Sequence, residues 1–293
     1  MKTYYKEDLK TSFIFLLPVF ILTLFFIFIP VIATFINSLF RDIIFLNKRF
    51  VLFQNYFYLL SDSGFWQSLK FTIIFIIVSV PLEIFLGIIF TLVLNYEIPY
   101  KGFIRVCVLL PWAIPAAISA RLWELIYNYS YGLANFLLLK IRIINEPINW
   151  LETGFSAFVA LVIADVWKTT PFVAIILLAG LQAIPKEIYY QAVIDRANFL
   201  QRFFKITLPL LKPAIIIALL FRTIDAVRIF DLIYVLTKGG PGGATTSLSL
   251  YAYKYYITGD FGYASSISVI LFIISFIASI IYLRVGKFRQ EVL

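Results

Sequence analysis

Four charged residues recur at a spacing of three in an otherwise apolar stretch: Arg222, Asp225, Arg228 and Asp231. Residues three apart on a helix are neighbours, so adjacent members can pair, and the four charges sum to zero. Two chemistries fit. The groups can satisfy one another as a salt ladder that holds a helix bundle together. Alternatively they can present a hydrogen-bonding wall to a ligand rich in hydroxyls, such as a sugar, which needs bidentate polar partners and flat aromatic faces. Aromatic faces stand in nearby stretches, at Trp112, Trp123 and Trp167. Covalent and metal chemistry have little to work with. The 293 residues include no histidine and one cysteine, Cys107. That removes His-activated nucleophiles, a His proton relay, His or Cys metal clusters and an intramolecular disulfide. No convincing nucleophile–base pair remains and the phosphate-cradling pattern GxxxxGKS/T is missing, so the chain is not expected to be an enzyme.

The elements that must position these residues follow from composition. Hydrophobic residues make up 62% of the chain and charged residues 14%, and the mean hydropathy is +0.94. A globule of this size cannot hide so much apolar surface, which excludes an ordinary soluble domain and a disordered chain. A membrane-spanning helix needs ~20 mainly apolar residues. Six stretches qualify: Thr11–Leu39, Ser68–Asn95, Ile104–Tyr127, Ser156–Leu181, Pro213–Leu236 and Ala264–Leu283. They are solidly apolar and do not alternate, which argues against a β-barrel. The expected fold is therefore an all-α integral membrane protein of six transmembrane helices. The basic start, 1–10, leads into an apolar run far longer than a signal core, so it reads as an uncleaved first helix. With both termini cytoplasmic, the inner segments hold thirteen Lys and Arg and the outer ones seven, in keeping with the positive-inside rule. The net charge of +9 is scattered along the chain, so in a chain surrounded by membrane lipid it reads as that bias rather than as a surface for anionic lipid headgroups or nucleic acid.

Two loops exceed what a connector needs. Residues 238–263 open on Gly239-Gly240-Pro241-Gly242-Gly243, a forced turn. Residues 182–212 carry Pro185 at a helix start and an expected amphipathic helix over Lys186–Phe204, stopped by Leu208-Pro209. Such a helix serves either to dock a partner or to lie on the lipid surface.

The second loop resembles the cytoplasmic coupling loop, or EAA loop, of importer-type ABC permeases. The resemblance rests on Tyr189, Tyr190-Gln191-Ala192, Asp195-Arg196-Ala197, Gln201, Phe203, Ile206-Thr207-Leu208-Pro209 and Pro213. The chain departs from the family at three places: Tyr190 for a glutamate, Gln191 for an alanine and Arg196 for a glycine. Three further stretches agree in order: Leu110-Pro111-Trp112-Ala113-Ile114-Pro115, Asp165-Val166-Trp167 followed by Pro171, and residues 237–263. The likeness runs from about Trp66 to Leu283 and resembles most the larger permease subunit of maltose, trehalose and related oligosaccharide importers.

The resemblance implies a type I ABC importer permease, multi-pass in the cytoplasmic (inner) membrane, that imports a di- or oligosaccharide such as trehalose or maltose by alternating access. It implies three regions: 1–65 with the first helix and its outer loop, a permease core over 66–284 with the coupling loop 182–212, and a tail over 285–293. It implies a second permease subunit, an ATPase dimer at the coupling loop and an extracytoplasmic sugar-binding protein, with ATP and magnesium held by the ATPases and no cofactor on this chain. Family sugar contacts fall here on Trp112 and Ala116; on Asp165, Trp167, Lys168 and Thr169; and on Ala226 and Ile229 with Arg222 a turn away. Asp225 and Arg228 join them from chemistry alone. ATPase contacts fall on Tyr190, Gln191, Ala192, Asp195, Arg196, Ala197, Gln201, Phe203, Leu208 and Pro209. Two alternatives stay open: a glycerol-phosphate-type importer, which shares this loop, and a stand-alone secondary transporter, which would show inverted repeats. Arg222, Arg228 and Lys168 could instead meet a phosphate: unpaired arginines would favour phosphate, and arginines tied to Asp225 and Asp231 would favour a neutral sugar. Pro111, Pro115 and Pro171 open the backbone ladder of their helices, which reads first as a simple kink and second as freed carbonyls that bind ligand beside a cavity.

Overall fold

The computed structural model describes residues 2–96 and 99–286. Among the described residues five helices are long and apolar enough to cross a membrane, and a bent helix pair makes a sixth crossing if counted as one span. In chain order the elements are α1 (Thr11–Ser38), β1 (Phe40–Arg41), β2 (Arg49–Phe50), α2 (Gln54–Ser61), α3 (Ser63–Asn95), α4 (Lys101–Ala113), α5 (Ala116–Ile126) and α6 (Leu133–Lys140). They continue with α7 (Gly154–Gln182), α8 (Lys186–Ile194), α9 (Phe199–Val227), α10 (Asp231–Leu236), α11 (Leu248–Ile257) and α12 (Phe261–Val285).

The chain divides into two compact units, the chain up to residue 62 with 252–270, and 63–251 with the chain from 271 on. In the first, the short antiparallel pair β1–β2 matches Phe40 with Phe50, whose rings lie 5.1 Å apart. The Asn55 amide donates to the Ser38 and Phe40 carbonyls at 2.8 and 2.9 Å, tying α2 back to the end of α1.

The second unit holds the core. α3, α7 and α9 pack together there, α3 against α7 most extensively. Ile84, Val173, Leu177, Leu181, Leu211 and Ala218 meet in the middle. Lipid tails are as apolar as these side chains, so close fit and interhelical hydrogen bonds must hold such helices together. Both are present. The Thr91 hydroxyl on α3 donates to the Ala174 carbonyl on α7 at 3.0 Å. Gly87 lets α3 approach Val173 so closely that a Cβ would lie 2.5 Å from Val173 Cγ1. Gly180 plays the same part against Ala214 of α9. We therefore expect Gly87→Ala to cost about 1–3 kcal/mol by overpacking, read as a lower unfolding temperature of the purified protein. Gly102→Ala, where a Cβ meets nothing within 4 Å, should be neutral.

The structure differs from the sequence reading in several elements, among them the helix Leu248–Ile257 inside the stretch 238–263 read as a loop. The third apolar run, Ile104–Tyr127, is not one helix. α4 and α5 meet at 92°, because Ile114 is extended and Pro115 has no N–H to continue the ladder. Pro111 and Pro171 lie inside unbroken helices. The fifth run is shifted. α9 covers Phe199–Val227 instead of Pro213–Leu236, and the chain breaks at Arg228–Phe230 before α10. Leu208-Pro209 does not stop a helix. A π-turn over Phe203–Thr207 carries the chain into the following α-helix with Pro209 in its first turn, where a missing N–H is tolerated.

Candidate functional site

The site begins with a buried arginine. Arg222 on α9 is 3% exposed and faces Glu83 of α3 and Asp165 of α7. Its Nε and Nη2 grip the two oxygens of Glu83, the second at 2.9 Å, while Nη2 also donates to Asp165 at 3.1 Å. Asp225 lies 3.6 Å away and accepts from Arg228 at 2.7 Å. A planar guanidinium with a fork of donors is suited to serving several carboxylates at once. Two carboxylates without it would repel each other in a medium where an unpaired charge is costly. Lys168, on α7, turns to the α4–α5 elbow, donating to the Ile114 carbonyl at 2.5 Å and lying 3.4 Å from that of Trp112. Glu83, Asp165 and Asp225 all face Arg222, while Lys168 faces backbone.

A cavity of about 410 Å³ opens beside this group. Trp112, Ala116, Asp165, Lys168, Thr169, Arg222, Asp225, Arg228 and Ile229 all line it, with Phe172, Phe230, Asp231 and Leu232. Trp112 is stacked on Phe172, ring centroids 5.5 Å apart and 20° between planes. The wall therefore combines an aromatic platform with paired polar groups. Two of the residues singled out from sequence stand elsewhere. Ala226 is buried at 1% exposure. Trp167 meets Trp123 edge-on at 5.6 Å and lines a separate apolar cavity of about 670 Å³ with Pro111 and Cys107.

The expected salt ladder is real over Arg222, Asp225 and Arg228 and stops there. Asp231 makes no ion pair among the described residues, because α9 ends at Val227 and the three-residue spacing no longer describes a helix. Glu83 was missed by the sequence reading. The signal was available, since a carboxylate near the middle of an apolar span is a functional or structural marker by default.

The loop between α7 and α9 is built differently from one helix over Lys186–Phe204. α8 ends at Ile194, where Arg196 N–H bonds the Val193 carbonyl and Ala197 N–H the Ala192 carbonyl, with Arg196 at φ 56°. That is a Schellman closure, whose left-handed position ordinarily takes glycine. The resemblance drawn from the sequence sets a glycine against this position, and here an arginine takes the left-handed backbone. α9 then starts with a capping box, in which Gln201 N–H donates to the Asn198 side chain at 2.8 Å and the Gln201 side chain accepts from Asn198 N–H at 2.9 Å. So Gln201 shapes the turn. Ala192 is buried, and the Tyr189 hydroxyl lies 3.0 Å from that of Thr207, which fastens α8 to α9. Phe203 is half-buried beside a small hollow near Tyr189, and Leu208 is half-buried on α9. Gln191, Asp195 and Pro209 are exposed. The outer face is more apolar than expected: Tyr190, Val193, Ile194, Leu200 and Phe204 are all exposed, Ile194 at 79%.

Left-handed backbone costs a non-glycine residue about 1–2 kcal/mol, against about 0.5–1 kcal/mol for glycine's extra freedom in the unfolded chain. Arg196→Gly is therefore expected to leave the fold intact and raise stability by a few tenths to about 1 kcal/mol, measured as a higher unfolding temperature of the purified chain.

Comparison with known proteins gives one consistent result. Residues 83–289 match the family model described as the binding-protein-dependent transport system inner membrane component. The chain is 53% identical over 291 residues to the trehalose/maltose transport system permease protein MalF of Thermococcus litoralis, covering 99% of this chain and 98% of that protein. It is 38% identical to the trehalose transport system permease protein SugA of Mycobacterium tuberculosis, over 77% of this chain and 71% of the relative. In fold it is similar to a chain of a bacterial alginate ABC transporter solved in complex with an alginate pentasaccharide-bound periplasmic protein. That match has a TM-score of 0.80 at 22% identity, covering 99% of this chain and 98% of the other.

Proposed function

The chain belongs to the binding-protein-dependent transport system inner membrane component family, and from that premise we propose that it is the permease subunit of an ATP-driven importer of neutral di- or oligosaccharides of the trehalose and maltose kind. The names of its relatives supply the sugar class. The observation that carries the neutral reading is the engagement of both arginines at the cavity. Arg222 is held by Glu83, Asp165 and Asp225, and Arg228 by Asp225. Neither charge is left without a carboxylate partner, which favours a neutral sugar over a glycerol-phosphate substrate. Paired side chains still offer spare acceptor lone pairs and N–H groups to hydroxyls, and the Trp112 ring offers a face to a sugar's C–H surface.

The pathway forms between this chain and a second permease, with an extracytoplasmic binding protein delivering sugar on one side. On the cytoplasmic side an ATPase dimer seats on α8 and the start of α9, and those ATPases bind ATP and magnesium. This chain needs no cofactor. The exposed apolar face of Tyr190, Val193, Ile194, Leu200 and Phe204 supports that seat, because charge is depleted and aromatic area enriched at the centre of stable interfaces. The Lys and Arg bias supports a multi-pass placement in the cytoplasmic membrane with that loop inside. Coupling runs through α8: the Tyr189–Thr207 contact and buried Ala192 transmit displacement of the loop to α9, which carries Arg222.

The test is purification of the tagged chain in mild detergent from its own membranes. A second permease and an ATPase in the eluate are the expected result. A chain recovered alone or only with itself would contradict the reading and favour a stand-alone transporter.

A further inference from the structure

We propose that Lys168 is a positioning residue: its ammonium clamps the opened carbonyls of the α4–α5 elbow and so fixes the Trp112 ring as the aromatic wall of the cavity. The inference rests on the sugar-permease reading only for the identity of the ligand; the clamp itself rests on geometry.

α4 ends at Ala113, and Ile114 is extended against Pro115, which has no N–H. The last carbonyls of α4 therefore have no helical donors. At membrane depth such backbone is tolerated where it is buried in protein or lines a cavity, and its carbonyls need donors there. Lys168 supplies the donor, 2.5 Å from the Ile114 oxygen and 3.4 Å from the Trp112 oxygen. A cation at the C-terminal end of a helix is also favoured by the helix dipole. Among the described residues Lys168 makes no salt bridge, although Asp165 stands three residues back on the same helix; that carboxylate is taken by Arg222. The charge of Lys168 is thus directed at backbone.

The same helix holds Trp112 at a second point. Phe172, four residues after Lys168 on α7, stacks on the Trp112 ring at 5.5 Å. Carbonyl and ring of Trp112 are therefore both referenced to α7, one through Lys168 and one through Phe172. An apolar side chain at 168 would release the backbone end. The ring would then be free to swing with the 92° bend. Lys168 so acts on the sugar through Trp112, in contrast to the direct sugar contact that family resemblance implies for this position.

Two measurements on the assembled transporter test this. The first uses the native thiol of Cys107 on α4 and an introduced Leu125→Cys on α5, both exposed, as spin-label sites. The interlabel distance distribution should be narrow in the otherwise unaltered protein and in Lys168→Arg, and clearly broader in Lys168→Met. If Lys168→Met does not accumulate, Lys168→Gln, which keeps an N–H donor but no charge, takes its place with an intermediate broadening expected. An unchanged distribution in the uncharged variant overturns the clamp. The second is equilibrium binding of labelled trehalose and maltose to the transporter purified without its binding protein, in a double-mutant cycle. Lys168→Met should weaken binding by about tenfold, the size of one charge-assisted hydrogen bond. In a Trp112→Ala background it should add little further loss. Fully multiplicative effects would mean that Lys168 touches the sugar itself and would overturn the proposal. If the unaltered transporter binds neither sugar, the substrate reading fails, while the spin-label result still decides the clamp.

Discussion

Replacing Arg222 with methionine is expected to remove nearly all folded protein from the membrane. The side chain is 3% exposed and serves Glu83, itself fully buried, and Asp165, at 8% exposure. Without it, two carboxylates on α3 and α7 face each other with no counter-charge between them. Breaking a buried ion pair by removing one partner costs about 3–5 kcal/mol, a large share of the ~5–15 kcal/mol that holds a typical domain together. The damage falls where α3, α7 and α9 meet, so it cannot be confined to one helix. The measurement is the amount of monodisperse protein after solubilisation, with its unfolding temperature. A second variant separates charge from shape. Glu83→Gln with Arg222→Met removes one charge of each sign and should recover a substantial part of the lost protein. If Arg222→Met accumulates and melts like the unaltered chain, the buried cluster does not hold the helices.

The second large effect is expected at the opposite end of α9. Ile194→Asp with Leu200→Asp places two carboxylates on the face formed by α8 and the start of α9. Both positions are well exposed, at 79% and 62%, so the fold of the chain should survive. Burying those charges against a partner without compensation costs several kcal/mol. The anchors of an interface typically contribute 2 kcal/mol or more each, so the seat should be lost. Co-purification of the ATPase should fall below detection and uptake should drop by at least about a hundredfold, while membrane yield of the chain stays the same. Retained ATPase with normal uptake would show that the partner seats elsewhere.

How much of this was legible in the residue order depends on the length scale of the signal. Six apolar runs stand out because spanning a bilayer demands length and composition together, and no other pressure produces both. Glu83 belonged to the same class of signal and was passed over because it sits alone, without the three-residue rhythm that drew attention to Arg222, Asp225 and Arg228. That rhythm misled at Asp231, since periodicity says nothing about where a helix ends, and α9 ends at Val227. Pro111, Pro115 and Pro171 look alike in sequence. Only Pro115 breaks its span, where Ile114 is extended and Lys168 from another helix meets the exposed carbonyls. That contact is tertiary and has no local signature. The loop after α7 was visible as an amphipathic segment. Its division at Arg196 was hidden, because an arginine gives no sign of the left-handed backbone that a glycine would have advertised. Gln201 reads as a surface polar residue until the Asn198 partner three residues earlier is seen to complete a capping box. The cavity joins α4, α7, α9 and α10 across more than a hundred residues of chain, and its membership came from resemblance and charge logic where spacing alone is silent.

Both arginines at the cavity are tied to carboxylates, and on that ground the pathway is assigned a neutral sugar. The most direct test of that assignment is uptake into proteoliposomes that carry the whole transporter containing this chain, with ATP inside and binding protein outside. Labelled trehalose should accumulate only with ATP, should be displaced by excess maltose, and should be indifferent to excess glycerol phosphate. ATP-dependent uptake of labelled glycerol phosphate, with neither sugar transported nor able to compete, would contradict the account.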